Sequence, residues 1–171
     1  MKIKWYKLVV GALVIFLGVF FLFAIWYKYE YAMEMAEVYE INTPQLNKRL
    51  LIATQGSDFK NSVSKGVIDH YRTDSVYIKV IDVSSIMEVS FEDYDAILIL
   101  HTWEYNQAPE AVTTFLENAG SFKNKTVILT TSGEGSETME GVDALTGESR
   151  LEDAPKSIER ILARLDPLLY F

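Results

Sequence analysis

The sequence contains no cysteine, and it has only two histidines among its 171 residues. Without thiols the chain cannot form disulfides, bind zinc through cysteine, hold a thiolate-ligated iron–sulfur cluster or use a thiol nucleophile. His70 and His101 are too few for a histidine-rich metal site. We therefore expect neither a disulfide-stabilised fold nor a metal centre of these kinds.

Basic charge is scarce after the first seven residues. Lys2, Lys4 and Lys7 precede every acidic residue, so the rest of the chain carries all 24 acidic side chains against the remaining 13 of its 16 basic ones. Such an acidic surface repels the phosphate backbone of nucleic acids, and we find no basic patch that would offset it. The sequence predicts no nucleic-acid partner.

Residues 8–26 form an uninterrupted run of 19 uncharged residues. At ~1.5 Å per residue, a helix of this length crosses the ~30 Å hydrocarbon core of a bilayer. A cleaved signal peptide is the alternative, but its apolar region normally spans about 7–15 residues and is followed by small residues. Here the run is flanked by the bulky aromatic residues typical of membrane interfaces: Trp5, Tyr6, Trp26, Tyr27 and Tyr29. We expect an uncleaved single-pass helix.

The lysines at the N-terminus predict the orientation of this helix. The positive-inside rule assigns residues 1–7 to a cytoplasmic tail and the body to the outer side of the inner or cell membrane, with a cytoplasmic body as the alternative. In residues 27–48, Glu30, Glu34 and Glu37 recur at helical spacing. This spacing predicts a polar helical stalk that ends at Asn42-Thr43-Pro44.

The body, residues 49–171, alternates apolar β-branched runs with amphipathic segments. Such alternation predicts a compact three-layer α/β domain with a five-stranded parallel sheet. The strand order 2-1-3-4-5 is implied by the family resemblance given below. Pro109 opens one helix, and the capping-box spacing of Ser149 and Glu152 opens the last. The predicted strands are residues 49–54, 76–83, 94–100, 126–131 and 142–145, and the first helix is residues 61–71.

Ligands of open parallel sheets bind beyond the carboxyl ends of the strands. Three loops follow strands there: residues 54–60, 101–107 and 131–141. The first leads into a helix N-terminus, which suits a phosphate, although Asp58 opposes an anion and is explained as a helix cap. It contains neither G-x-G-x-x-G nor a P-loop, so NAD and nucleoside triphosphates are not expected as principal ligands.

The second loop brings two aromatic residues, Trp103 and Tyr105, to a strand end. They suit stacking on a planar ring, and ordinary packing is the alternative. His101 is interpreted as a hydrogen-bonded strand residue rather than an acid or base. The chain has no G-x-S-x-G elbow and no spacing that marks paired catalytic carboxylates, so no catalytic residue is assigned.

Residues 49–165 resemble the flavodoxin-like superfamily, which includes flavodoxins and NAD(P)H-dependent FMN reductases. The resemblance rests on Gly56-Ser57 after strand one, the YDAILIL strand, Thr102-Trp103-x-Tyr105 and Thr130-Thr131-Ser132-Gly133. It implies FMN, with its phosphate on the first loop and its isoalloxazine ring between the other two. The residues implied for cofactor binding are Thr54, Gln55, Gly56, Ser57, Lys60, Thr102, Trp103, Tyr105, Asn106, Thr131, Ser132 and Gly133.

A second resemblance concerns residues 143–149. They are similar to the covalent flavinylation motif of membrane-linked FMN-binding domains, with Glu148 in place of an alanine. That resemblance implies Ser149 as an attachment site. Because Ser149 also suits a helix cap, we favour noncovalent FMN.

Two functional hypotheses follow. The first is a membrane-anchored, FMN-binding protein that transfers electrons or reduces a small acceptor such as a quinone. The second is a flavodoxin-like module without a cofactor that acts as an interaction or assembly domain of an envelope complex. Trp103 and Tyr105 favour the first hypothesis, whereas Asp58, Phe59 and Lys60, which depart from the flavodoxin loop pattern, favour the second. Neither hypothesis identifies the partner protein.

Overall fold

The computed structural model describes residues 4–30, 34–104, 107–139 and 141–170. These residues fall into two units that divide after residue 33. The first unit contains one helix, α1 (Trp5–Glu30). Residues Trp5–Tyr27 have a mean hydropathy of 3.1 in their most apolar window, so α1 is long and apolar enough to cross a membrane. The spanning helix expected over residues 8–26 is present within it.

The second unit is built on a six-stranded sheet. Its strand order is β1-β3-β2-β4-β5-β6, with β1 antiparallel to β3 and every other pair parallel. The five parallel strands have the predicted order, and β1 is an addition at the edge. The strands are β1 (Tyr39–Ile41), β2 (Lys48–Thr54), β3 (Val76–Asp82), β4 (Ala96–Thr102), β5 (Thr126–Thr131) and β6 (Leu145–Gly147).

Helices cover both faces of the sheet. Alternate residues of β2 point to opposite faces, as the period of two requires. Leu50 and Ile52 pack in the core under α2 (Asp58–Tyr71) and α4 (Ala154–Tyr170). Leu51 and Ala53 pack on the opposite face against α3 (Glu110–Asn118). This pattern is the predicted three-layer arrangement, and short 3₁₀ turns replace longer helices after β3.

The predicted helical stalk is wrong for residues 34–41. Residues 35–38 have no regular secondary structure, and Tyr39–Ile41 form β1. The glutamate spacing is compatible with a helix, but Tyr39–Ile41 pair with β3 instead. Here tertiary pairing overrides a weak local preference. Residues 1–3 and 31–33 of the predicted tail and stalk lie outside the described residues.

Three further local predictions are also wrong. The fifth parallel strand is Leu145–Gly147 rather than residues 142–145, because its register pairs it with the carboxyl end of β5. Ser149 does not cap the last helix, since a 3₁₀ turn (Leu151–Asp153) intervenes before α4. The expected helix cap at Asp58 is wrong as well, because the cap of α2 is Ser57, whose hydroxyl accepts the N–H of Lys60, and Asp58 is the first helical residue.

Candidate functional site

The strand order reverses between β2 and β4. The chain leaves β2 through α2 toward β3 on one side, and it leaves β4 through α3 toward β5 on the other. The loops after β2 and β4 therefore diverge at their carboxyl ends. In open α/β sheets, a crevice at such a switch point is the usual place for a ligand. The first two predicted loops meet at this point.

Lys60 is the one lysine buried at this edge in the described part of the chain. It is 1% exposed, and its Nζ donates to Thr102 Oγ1 at 2.6 Å and lies 3.4 Å from Ser57 Oγ. Burial lowers the pKa of Lys60 to about 8, an effect that the nearby Glu104 carboxylate only partly opposes. The ammonium also lies in the first turn of α2, where the helix dipole disfavours positive charge. Burial and the helix dipole therefore both disfavour the charged form of Lys60 in the free protein.

A chain of hydroxyl groups continues from Lys60 across the sheet edge. Thr102 Oγ1 lies 2.7 Å from Thr131 Oγ1, and Ser149 Oγ donates to Thr131 Oγ1 at 2.8 Å. These residues come from the ends of β4 and β5 and from the segment after β6. The Ser149 hydroxyl thus belongs to this network and not to a helix cap. Hydroxyls both donate and accept, so the network can reorient around a bound group.

Gln55 ties the first loop to the second. Its side-chain oxygen accepts the N–H of Thr102 at 2.7 Å, and its Nε2 donates to Glu104 Oε1 at 3.0 Å. Its backbone N–H donates to the carbonyl of Leu100 at 3.2 Å. Because all of these contacts join the two sides of the switch point, Gln55 fixes the separation of the loops. Thr54, which is buried next to it, donates its hydroxyl to the Gln55 carbonyl.

Gly56 is approached closely by another part of the chain. Its N–H donates to the carbonyl oxygen of Glu34 at 2.7 Å, and an added Cβ would lie 2.6 Å from that oxygen. Any residue with a side chain would therefore displace Glu34 or the loop. The sequence gives no signal for this contact, because the two residues are distant along the chain and Glu34 was expected in a helix.

Two buried donors at this edge have no hydrogen-bond partner among the described residues. They are the Trp103 indole Nε1, just after β4, and the Ser132 hydroxyl, just after β5. Unpaired buried polar groups are uncommon, and a ligand is one explanation for them. Trp103 also lines a cavity of about 690 Å³ between α3 and a segment that contributes Thr138, Met139, Gly141 and Val142. Gly133 follows Ser132 and is exposed.

His101 lies within β4 and is fully buried. Its Nε2 lies 2.9 Å from Thr130 Oγ1, and burial lowers the pKa of His101 to about 4. The ring is therefore neutral at pH 7, in agreement with its interpretation as a hydrogen-bonded strand residue.

The structure brings most of the predicted residues to one edge of the sheet. Lys60, Thr102 and Thr131 are joined by the hydroxyl network, and Gln55 joins the loops. Tyr105 and Asn106 lie outside the described residues. The sequence did not assign Glu34 or Glu104 to the site. Glu104 offered a signal, because it lies directly after Trp103, whereas Glu34 offered none.

Comparison with known proteins identifies the architecture. No family model matches the chain, and no curated protein matches it. A flavodiiron core from Synechocystis is 11% identical with a TM-score of 0.51, and the match covers 72% of this chain and 36% of that one. Flavodoxin 2 from Bacillus cereus is 14% identical with a TM-score of 0.48, and the match covers 70% of this chain and 99% of that one.

A flavodoxin from the domain Archaea is 9% identical with a TM-score of 0.47, and the match covers 70% of this chain and 98% of that one. At such low identities these likenesses bear on the fold alone. The strand order, the helices on both faces and the likeness to the flavodiiron core agree with one another. The body of the chain has a flavodoxin-like fold.

Proposed function

We propose that the body binds FMN noncovalently at the carboxyl edge of its sheet and carries electrons or reduces a small, quinone-type acceptor. The observation that carries the proposal is the buried ammonium of Lys60 at the switch point between β2 and β4. A buried ammonium beside the N-terminus of a helix favours an anionic ligand. The choice of FMN over other phosphate-bearing ligands rests on analogy with the fold.

The residues present fit both ends of such a molecule. Lys60 Nζ, the Ser57 hydroxyl and the N-terminus of α2 offer cationic and neutral donors for a phosphate. The unpartnered Trp103 N–H and Ser132 hydroxyl offer donors for a ring with carbonyl groups. FMN, when bound, supplies the one- and two-electron chemistry, and these residues hold and orient it.

Absorbance and titration test this proposal. The full chain, purified in detergent, should show oxidised-flavin absorbance or gain it on adding FMN. Lys60→Met should weaken FMN binding by about 10- to 100-fold, because a charge-assisted contact is lost. Lys65→Met is the matched control, since Lys65 lies on the same helix, is exposed and pairs with Asp69. Equal FMN affinity in both variants would contradict the role of Lys60.

A cofactor-free interaction module is the second candidate. It is favoured by the N–H of Gly56, which already donates to Glu34, and by Asp58 at the start of α2. Both features weaken an anion site at the first loop. Absence of flavin uptake at millimolar FMN, together with a stable protein partner cross-linked in membranes, would support this candidate over the first.

We also propose that α1 anchors the protein in the inner or cell membrane, with the N-terminus in the cytoplasm and the body outside. The length and hydropathy of α1 support the anchor, and the N-terminal lysines support the orientation. A C-terminal reporter that is active only in the cytoplasm should stay silent. Strong reporter activity would reverse the proposed orientation.

A further inference from the structure

The segment that precedes β1 lies across the first ligand loop. We call residues 34–38 the strap. Its main-chain contacts with the rest of the body, among the described residues, include the Glu34 carbonyl to Gly56 N–H at 2.7 Å and the Ala36 N–H to Asp82 Oδ2 at 2.8 Å. Glu34 and Gly56 form an isolated antiparallel bridge. The strap thus joins the carboxyl ends of β2 and β3.

The strap is held by polar contacts rather than by packing. Met35 and Val38 are 76% and 65% exposed, so their side chains contribute little burial. Between the strap and α2 lies a cleft of about 960 Å³, lined on the body side by residues that include Thr54 and Ser64. A segment fixed by few hydrogen bonds and little apolar burial opens at low free-energy cost.

Asp82 presents a fixed acceptor to the strap. Its Oδ1 accepts the N–H and the hydroxyl of Ser84, and its Oδ2 accepts the Ala36 N–H. The carboxylate therefore caps the turn after β3 and holds the strap at the same time. Loss of the Ala36 N–H would remove one of the two main-chain contacts described for the strap and so favour its release, while leaving the cap of the turn in place.

The contact with Gly56 lies within the proposed phosphate site. Gly56 directly precedes Ser57, the cap of α2, and an anion at this helix N-terminus would take up N–H groups of the same loop. The Glu34 carbonyl and a phosphate oxygen therefore compete for the Gly56 N–H. The carboxylate of Glu34 adds negative charge to the strap and further disfavours an anion nearby.

We propose that the strap is autoinhibitory: it occupies the Gly56 N–H, and a phosphate-bearing ligand binds tightly only when residues 34–36 leave the loop. This inference rests on the proposed function, because it concerns regulation of the same site. By linkage, a ligand that displaces the strap is bound more tightly when the strap is already released.

Two proline variants of the full chain in detergent test the strap. Ala36→Pro removes the N–H that donates to Asp82, whereas Val38→Pro places proline in the same exposed segment without removing a described contact. We expect Ala36→Pro to bind FMN about 3- to 10-fold more tightly and to exchange the Gly56 amide, which the Glu34 carbonyl protects, faster in deuterium. Val38→Pro should match the wild-type FMN affinity.

The wild-type chain provides a second measurement that needs no variant to fold. Addition of FMN should speed amide exchange in residues 34–38. The inference would be overturned if bound FMN left amide exchange in the wild-type chain unchanged. It would also be overturned if Ala36→Pro showed faster exchange but the same FMN affinity as the wild type. If the strap of Ala36→Pro is released but neither chain binds FMN or inorganic phosphate, the proposed function fails as well and the strap is only a structural tie.

Discussion

Two lysines at opposite edges of the sheet have different surroundings. Lys125, at the amino end of β5, donates to the main-chain carbonyls of Phe91 and Tyr94 and lies 5.0 Å from the Phe122 ring centroid. Lys60, at the carboxyl edge, contacts the hydroxyls of Thr102 and Ser57, and burial lowers its pKa to about 8. Carbonyl oxygens only accept hydrogen bonds and so pair directly with an ammonium. Hydroxyls both accept and donate, so they can form hydrogen bonds with other groups equally well. The amino edge thus holds its lysine with main-chain acceptors, whereas the carboxyl edge holds its lysine with hydroxyls that a bound group can also contact.

The largest expected effect is on the pH dependence of the free energy of unfolding. It compares His101, buried near the carboxyl edge, with His70, partly exposed at the amino edge. His101 has a folded-state pKa of about 4, below the ordinary value of 6.5, because it is buried. As the pH falls from about 6.5 to about 4, the His101 imidazole is therefore protonated in the unfolded chain but stays neutral in the folded chain. The free energy of unfolding should decrease by about 3 kcal/mol over this window and be unaffected by His101 above it.

Urea unfolding of His101→Gln at several pH values measures this effect. The variant should lose most of the acid dependence of its unfolding free energy. His70→Gln, at the amino edge where His70 is partly exposed, should keep it. A wild-type curve that is flat between pH 6.5 and pH 4 would contradict the burial effect.

Substitution of the two lysines should change stability in opposite directions. Lys125→Met leaves two carbonyl oxygens without their donor and should lower the free energy of unfolding by about 2 kcal/mol. Lys60→Met removes the desolvation cost of a buried ammonium and should raise the free energy of unfolding by roughly 1–2 kcal/mol at pH 7. Chemical denaturation of both variants measures these changes. A loss of stability in Lys60→Met similar to that in Lys125→Met would show that the two edges do not differ.

The pH dependence of FMN binding should show a smaller effect. In the free protein Lys60 loses its proton near pH 8, and a bound phosphate should raise that pKa. Affinity for FMN should therefore fall about tenfold between pH 7 and pH 9, where the FMN phosphate keeps its charge and Lys60 loses its proton. Fluorescence quenching of FMN measures it, and Lys60→Met should remove the dependence. A pH-independent affinity in the wild type would separate Lys60 from the ligand.

The smallest expected effect concerns Ser149. Its hydroxyl donates to Thr131 within the network, and the arrangement gives no reason to expect a bond to flavin. Intact mass after denaturation, on protein made in cells with a flavin transferase, should match the unmodified chain. Ser149→Ala should lower the free energy of unfolding by at most about 1 kcal/mol. A flavin-sized adduct that Ser149→Ala abolishes would restore the covalent alternative.

The sequence predicts the parts of the fold that depend on continuous patterns. The β-branched run TVILTT coincides with β5, and the run VYIKVID within the predicted second strand forms β3. The uncharged run lies inside α1. Such runs are long enough for hydrophobic periodicity to be unambiguous. The spatial order of the five parallel strands follows from the resemblance.

The errors lie where long-range contacts decide the structure. Tyr39–Ile41 is only three residues long with a charged centre, so its pairing with β3 leaves no pattern in the sequence. Lys60 was identified as a loop residue, but its bond to Thr102 joins residues 42 positions apart. A local signal, such as the capping-box spacing of Ser149 and Glu152, cannot show that the Ser149 hydroxyl has a partner elsewhere in the chain, here Thr131. The position of these residues at the carboxyl edge of the sheet was therefore more predictable than their contacts.

Strand β1 has a consequence for solubility. Without it, β3 would present the open edge of a strand rich in valine and isoleucine, which is a template for pairing with a second chain. β1 covers Ile78, Lys79 and Val80 with an antiparallel partner and ends the sheet in a short strand with a central glutamate. For proteins concentrated on a membrane surface, a blocked edge reduces the chance of sheet-to-sheet aggregation. The residues expected as a stalk thereby protect the sheet edge.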